Sequence, residues 1–181
     1  MSTRTVLSTR ALLVCAAIGV ATGILGGVAG LLTVPVIAGP LAFLYGLVLG
    51  VHVLPGIVAQ EVLRQPLVAL VTHVIAALIS SAFNPAWTVR FIGTALLFGA
   101  VQEGVAALTR YRSWGAWRFF VSAIVIGGLI GVIVWFAVDL ERFPAWAQLA
   151  YLAFSLVGPV AWTAVGLATG SALTRAGVTR R

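Results

Sequence analysis

Six apolar stretches, each close to the length of a membrane-crossing helix and separated by brief polar punctuation, constrain this chain more than any other feature. A hydrocarbon core of about 30 Å takes about 20 apolar residues of helix to cross, and lipid leaves open sheet edges and loops unsatisfied. The stretches predict transmembrane helices over about 11–31, 40–59, 66–83, 89–109, 117–138 and 147–172. Hydrophobic residues make up 61% of the 181 and charged residues 8%, which is more apolar surface than a soluble domain of this length could hide. The expectation is an all-α integral membrane protein, a six-transmembrane-helix bundle forming a single domain over 1–181, multi-pass in the cell membrane.

Turn signals stand where the spans should end. Pro35, Gly39 and Pro40 mark the first outer loop, Gln65-Pro66 restarts the chain after the first inner loop, and Asn84-Pro85 closes the third span. In the last outer loop, Asp139 to Trp146, Asp139 and Glu141 outweigh Arg142. These connections are too short to fold separately, so no soluble catalytic module is expected.

The net charge of +7 would suit a nucleic-acid partner if it were gathered on a soluble face, but its distribution argues against one. With six spans, Arg4, Arg10, Arg64, Arg110, Arg112, Arg118, Arg175, Arg180 and Arg181 share one side, leaving Arg90 and Arg142 opposite. Positive residues concentrate on the cytoplasmic side, which places both termini there. The first span follows Arg4 and Arg10 and exceeds the 7–15-residue core of a cleaved signal, so it is expected to remain as an uncleaved anchor. Cys15 stands alone in that span, which excludes a disulfide framework or thiolate cluster within one chain.

Against this background Glu103 is the anomaly, one of four acids and set within the fourth span. An acid near the bilayer centre costs at least about 2.5–3.5 kcal/mol and demands a compensating partner. A ligand contact and a structural pairing with an arginine or histidine both answer that demand. Helical spacing puts His73, Ala77, Ser80 and Asn84 on one face of the third span. Similar stripes run through Tyr45, Leu49 and His52 on the second span, Gly128, Gly131, Trp135 and Asp139 on the fifth, and Tyr151, Ser155, Gly158 and Trp162 on the sixth. Counting rise per residue puts His52, His73, Gln102, Glu103 and Trp162 within about 6 Å of the midplane, slightly towards the cytoplasm. The histidines can equally be core residues bonded to carbonyls, and Trp87, Trp135, Trp146, Tyr151 and Trp162 can be packing or interface-belt residues.

Other chemistries are poorly provided for. Two imidazoles and a carboxylate, His52, His73 and Glu103, could hold a divalent ion, but they lie on three helices without the i, i+4 spacing that marks such sites. The chain has no lysine, which excludes a Walker A loop and a Schiff base, and a single aspartate, which excludes an intramolecular aspartyl dyad. No enzyme activity and no resident cofactor are expected. On the first span Cys15, Gly19, Gly23 and Gly27 form one line of small residues, and Ala17 and Ala21 another. Such lines let a second helix approach closely, either inside the bundle or from a partner.

Glu103 followed by Arg110-Tyr111-Arg112-Ser113-Trp114-Gly115 resembles the YkoE family, with further likeness at Leu54-Pro55-Gly56, Arg64-Gln65-Pro66 and Thr174-Arg175-Ala176-Gly177-Val178. The resemblance covers almost the whole chain. It implies a substrate-binding S component of an energy-coupling factor (ECF) transporter for thiamine or its hydroxymethylpyrimidine precursor. Its implied partners are a transmembrane coupling subunit, docked through Ala17 and Ala21, and two ATP-binding-cassette ATPases. Where the family pattern places a carboxylate and a glutamine, this chain has His73 and Phe98, and Leu67 follows Pro66 where a glycine is usual.

The expected ligand contacts are Glu103 first, then His73, Asn84, Gln102, Trp135, Tyr151 and Trp162. A carboxylate suits both ligands, facing the thiazolium cation of thiamine or accepting a hydrogen bond from an aminopyrimidine, and aromatic faces add cation–π contact. The alternatives are a non-transporting membrane interaction protein and a metal-dependent intramembrane enzyme using His52, His73 and Glu103.

Overall fold

A computed structural model describes residues 7–39, 42–137 and 139–178, with the Ala137 side chain excepted. Arg4, Pro40, Arg180 and Arg181 lie outside the described residues. The order is α1 (Thr9–Ala38), α2 (Tyr45–Gly50), α3 (Leu54–Leu63), α4 (Val68–Phe83), α5 (Thr88–Leu108), α6 (Ala116–Ala137) and α7 (Ala145–Arg175). Short 3₁₀ turns precede α2, join α2 to α3, and flank the later loops, so Ala42–Leu63 makes one helical passage.

Among the described residues five helical segments are long and apolar enough to cross a membrane: Thr9–Ala38, Ala42–Leu63, Pro85–Leu108, Ala116–Phe136 and Ala145–Arg175. The expected third span is shorter than the others: α4 has 16 residues, which at 1.5 Å each reach about 24 Å. The first span is longer than expected, because α1 runs through Pro35 to Ala38. A proline deletes one backbone bond, a loss that neighbouring helices make tolerable in a membrane bundle.

The bundle is built with its polarity reversed relative to a soluble protein. Leu13, Leu31, Val132, Phe136 and Leu149 are exposed, whereas Gln60, Thr72, His73, Ser80, Gln102, Glu103, Arg118, Ser155 and Thr163 are buried. Lipid welcomes the apolar surface, and the interior keeps the groups that need hydrogen bonds. An apolar core of Val53, Ile57, Phe98, Phe119, Ile126, Ile130 and Tyr151 joins α3, α5, α6 and α7.

Two close crossings set the geometry. Along α1, Gly19, Gly23 and Gly27 meet Ile75, Ala76, Ile79 and Phe83 of α4 so closely that an added Cβ would collide. The glycine line is therefore internal packing, while Ala17 and Ala21 stay exposed on the other side of α1. The second crossing sets Gly46 and Gly50 of the second passage against Ser155, Gly158 and Pro159 of α7. Trp162 fastens it, its Nε1–H donating to the Leu47 carbonyl at 2.9 Å.

The two ends of the bundle differ. At one end lie Arg10, Arg64, Arg110 and Arg175, and Arg10 donates to the Val178 carbonyl at 3.1 Å, tying the start of α1 to the segment after α7. The other end carries Gly39, the Pro85–Trp87 turn, Arg90 and the Leu140–Arg142 turn. Arg118, grouped in the sequence with the arginines of one side, is 1% exposed, its guanidinium carbon 4.2 Å from the Trp114 ring centre and 4.4 Å from that of Phe119.

Candidate ligand-binding site

Glu103 solves its desolvation problem at the arginine-rich end. Oε1 accepts from the Ala69 backbone N–H at 2.8 Å and from Gln60 Nε2 at 3.2 Å; Oε2 accepts from the Leu67 N–H at 3.0 Å and from the Tyr111 hydroxyl at 3.1 Å. Ala69 opens the first turn of α4, whose unpaired N–H groups and dipole favour a negative charge. Leu67 sits in the left-handed region at φ 67°, and Arg64, Arg110 and Tyr111 also have positive φ. One carboxylate thus pins two strained loops and the start of a helix. Burial first, and then the neighbouring Glu103 charge, raises the Tyr111 phenol above its ordinary range and keeps it a donor.

From there a polar chain leads inward. His73 Nε2 lies 3.0 Å from Gln102 Oε1, and Gln102 Nε2 donates to the Val53 carbonyl at 3.0 Å, where α2 gives way to α3. Gly56 makes room for this pair, since a Cβ there would strike Gln102 Oε1 and crowd His73 Nε2. The Leu54-Pro55-Gly56 motif thereby acquires a packing reason.

Three hollows succeed one another towards the opposite end. The innermost, about 10 Å³ and so about the size of a single water, is bordered by Thr22, His52, His73, Ser80 and Thr94. Next comes a cavity of about 280 Å³ lined by Thr33, Tyr45, Leu49, His52, Trp87, Arg90 and Thr94. The largest, about 390 Å³, is apolar and aromatic, with Phe43, Tyr45, Leu140, Phe143, Trp146 and Tyr151 in its walls. His52, Phe91 and Thr94 are common to the first two, and Ile37 and Tyr45 to the second and third.

The expected contacts divide sharply. His73 borders the innermost hollow and Tyr151 the largest, where its hydroxyl is buried with no hydrogen-bond partner among the described residues. Gln102 touches His73 without lining a hollow. Glu103, Asn84, Trp135 and Trp162 line none of the three. Asn84 ends α4, where its carbonyl accepts from Trp87; Trp135 donates to Glu141 at 3.3 Å; Trp162 holds the α7 crossing.

Sequence reasoning passed over Arg90, Thr94, Thr33 and Phe43 as site residues and set Trp87 and Trp146 with the interface belt. A signal was present for part of this set: Tyr45, Leu49 and His52, noted as one stripe, all line the 280 Å³ cavity.

Residues 10–129 match the family described as ABC-type cobalt transport system, permease component, and the chain belongs to that family. The fold is also that of a solved S-component of an ECF transporter, with a TM-score of 0.83 over 96% of this chain and 88% of that one, at 16% identity. No curated protein matches the chain in sequence. For cobalt as cargo the donors fit poorly: among the described residues no three His, Cys, Asp or Glu side chains are grouped to hold a metal ion, and Glu103 bonds the loop before α4 and the loop after α5 rather than His52 or His73.

Proposed function

We propose that this chain is the substrate-binding S component of an ECF-type vitamin importer, crossing the membrane six times with both termini cytoplasmic. In this reading α4 is the third crossing in chain order and brings the number to six, its short length made up by the flanking loops. The ligand is thiamine or its hydroxymethylpyrimidine precursor, taken from outside into the hollows at the end opposite the arginine-rich one. One observation carries the reading: in an S-component fold, that end holds an aromatic cavity with convergent polar groups, the form expected of a small-molecule site. The ligand contacts are then Tyr45, His52, Trp87 and Thr94, with His73 and Tyr151 at the two extremes, and Glu103 acts from a distance by fixing α4.

Energy comes from a transmembrane coupling subunit and two ATP-binding-cassette ATPases. The exposed Ala17 and Ala21 offer the coupling subunit a face of small residues. A purely structural interaction protein would leave the cavities without a purpose, and a metal-dependent enzyme would need Glu103 released from four donors.

Titration of the detergent-purified protein with thiamine and with hydroxymethylpyrimidine, followed by tryptophan fluorescence and calorimetry, tests this. Saturable binding of either compound supports it. Absence of binding to both removes it.

A further inference from the structure

The hollows carry a charge pattern that separates the two proposed ligands. Among the described residues lining all three, Arg90 is the one with a formal charge, and none is acidic. The exposed Arg90 guanidinium lies 5.0 Å from the Trp87 ring centre. No carboxylate among the described residues forms an ion pair with it. The acids of the same end are engaged elsewhere: Asp139 pairs with Arg142 at 3.2 Å, and Glu141 accepts from Trp135. Glu103 is occupied at the far end of α5. Of the other titratable groups lining this cavity, His52 contributes either no charge or a positive one, and the Tyr45 phenol is neutral at pH 7.

Resting on the S-component reading, we propose that Arg90 is the charge-selecting residue of this cavity. It favours a neutral heteroaromatic ligand with an acceptor group, or an anionic one, over a permanent cation. A hydroxymethyl-aminopyrimidine offers a hydroxyl oxygen and ring nitrogens that a guanidinium can donate to. The thiazolium of thiamine brings a fixed positive charge to a site where, among the described lining residues, the one formal charge is also positive, and like charges oppose binding even where solvent screens them in part. Arg90 already occupies one face of Trp87, which leaves that face closed to a second cation.

The test compares affinities for hydroxymethylpyrimidine and thiamine in the wild type, Arg90→Lys, Arg90→Gln and Arg90→Glu, by calorimetry on the full chain in detergent. The wild type should bind the pyrimidine at least about tenfold more tightly than thiamine, Arg90→Lys should keep the preference, and Arg90→Gln should narrow it. Arg90→Glu should raise thiamine affinity relative to the pyrimidine by at least about tenfold, a gain that misfolding does not produce. Wild-type preference for thiamine, or a ratio unmoved by Arg90→Glu, overturns the proposal while leaving the S-component reading intact. Failure of the wild type to bind either compound overturns both.

Discussion

Glu103 shows how a buried acid is held by hydrogen-bond donors, two backbone N–H groups and two side chains, with no ion pair to it among the described residues. Its four donors come from α3, the loop before α4, α4 itself and the loop after α5. Glu103→Gln replaces one acceptor oxygen with a donor that must face an N–H, and is expected to cost about 2–3 kcal/mol of stability, read as a lower melting temperature. Ligand affinity of the folded fraction should stay within about threefold of wild type; a tenfold loss of affinity without loss of stability would restore Glu103 to the cavity. The same clamp restrains Leu67 at φ 67°, where a branched side chain costs about 1–2 kcal/mol. Leu67→Gly should therefore raise thermal stability by about 1 kcal/mol, since Leu67 is 46% exposed and gives up little packing. Sequence made the need for a partner at Glu103 legible, because a lone acid in an apolar span has to be answered. The partners were illegible, because two are backbone N–H groups, which leave no residue-type signature, and Gln60 is brought to the carboxylate only by the fold, 43 positions away in sequence.

At the scale of helices, both small-residue lines of α1 could be seen in the sequence, but periodicity cannot say which faces inward. The structure answers through volume: Gly23 meets the Ala76 backbone and Ile79 with no room for a Cβ, while Ala21 is exposed. Gly23→Leu should separate α1 from α4 and cost more than about 2 kcal/mol, seen as loss of the monodisperse folded protein in detergent. Ala21→Leu should shift the melting temperature by an amount corresponding to less than about 0.5 kcal/mol. Helix boundaries were legible to within a turn, except where proline misled: Pro35 reads as a loop marker yet lies inside α1. Trp162 illustrates a different limit. Its stripe with Tyr151, Ser155 and Gly158 divides along its length: Tyr151 borders the largest hollow, while Ser155, Gly158 and Trp162 pack on Gly46, Gly50 and Leu47.

For the molecule as a whole, the arginine distribution fixes an expected orientation that the structure makes testable. Cys15 is fully buried, so replacing it and introducing single cysteines gives a clean labelling background. Phe143→Cys, in the loop between α6 and α7, should react with an impermeant maleimide in intact cells, and Ala116→Cys, at the start of α6, only after permeabilisation. The reverse pattern would place both termini outside. The all-helical architecture was legible in composition and span length because lipid admits few alternatives. The hollows were not, because they arise where helices diverge.

The Glu103 clamp also couples segments. It knots α3, α4 and both short loops together at one end, whereas the opposite end is walled largely by aromatic and aliphatic side chains. Loosening any one of the four donors would therefore be felt by three segments at once, because a single carboxylate is what they share.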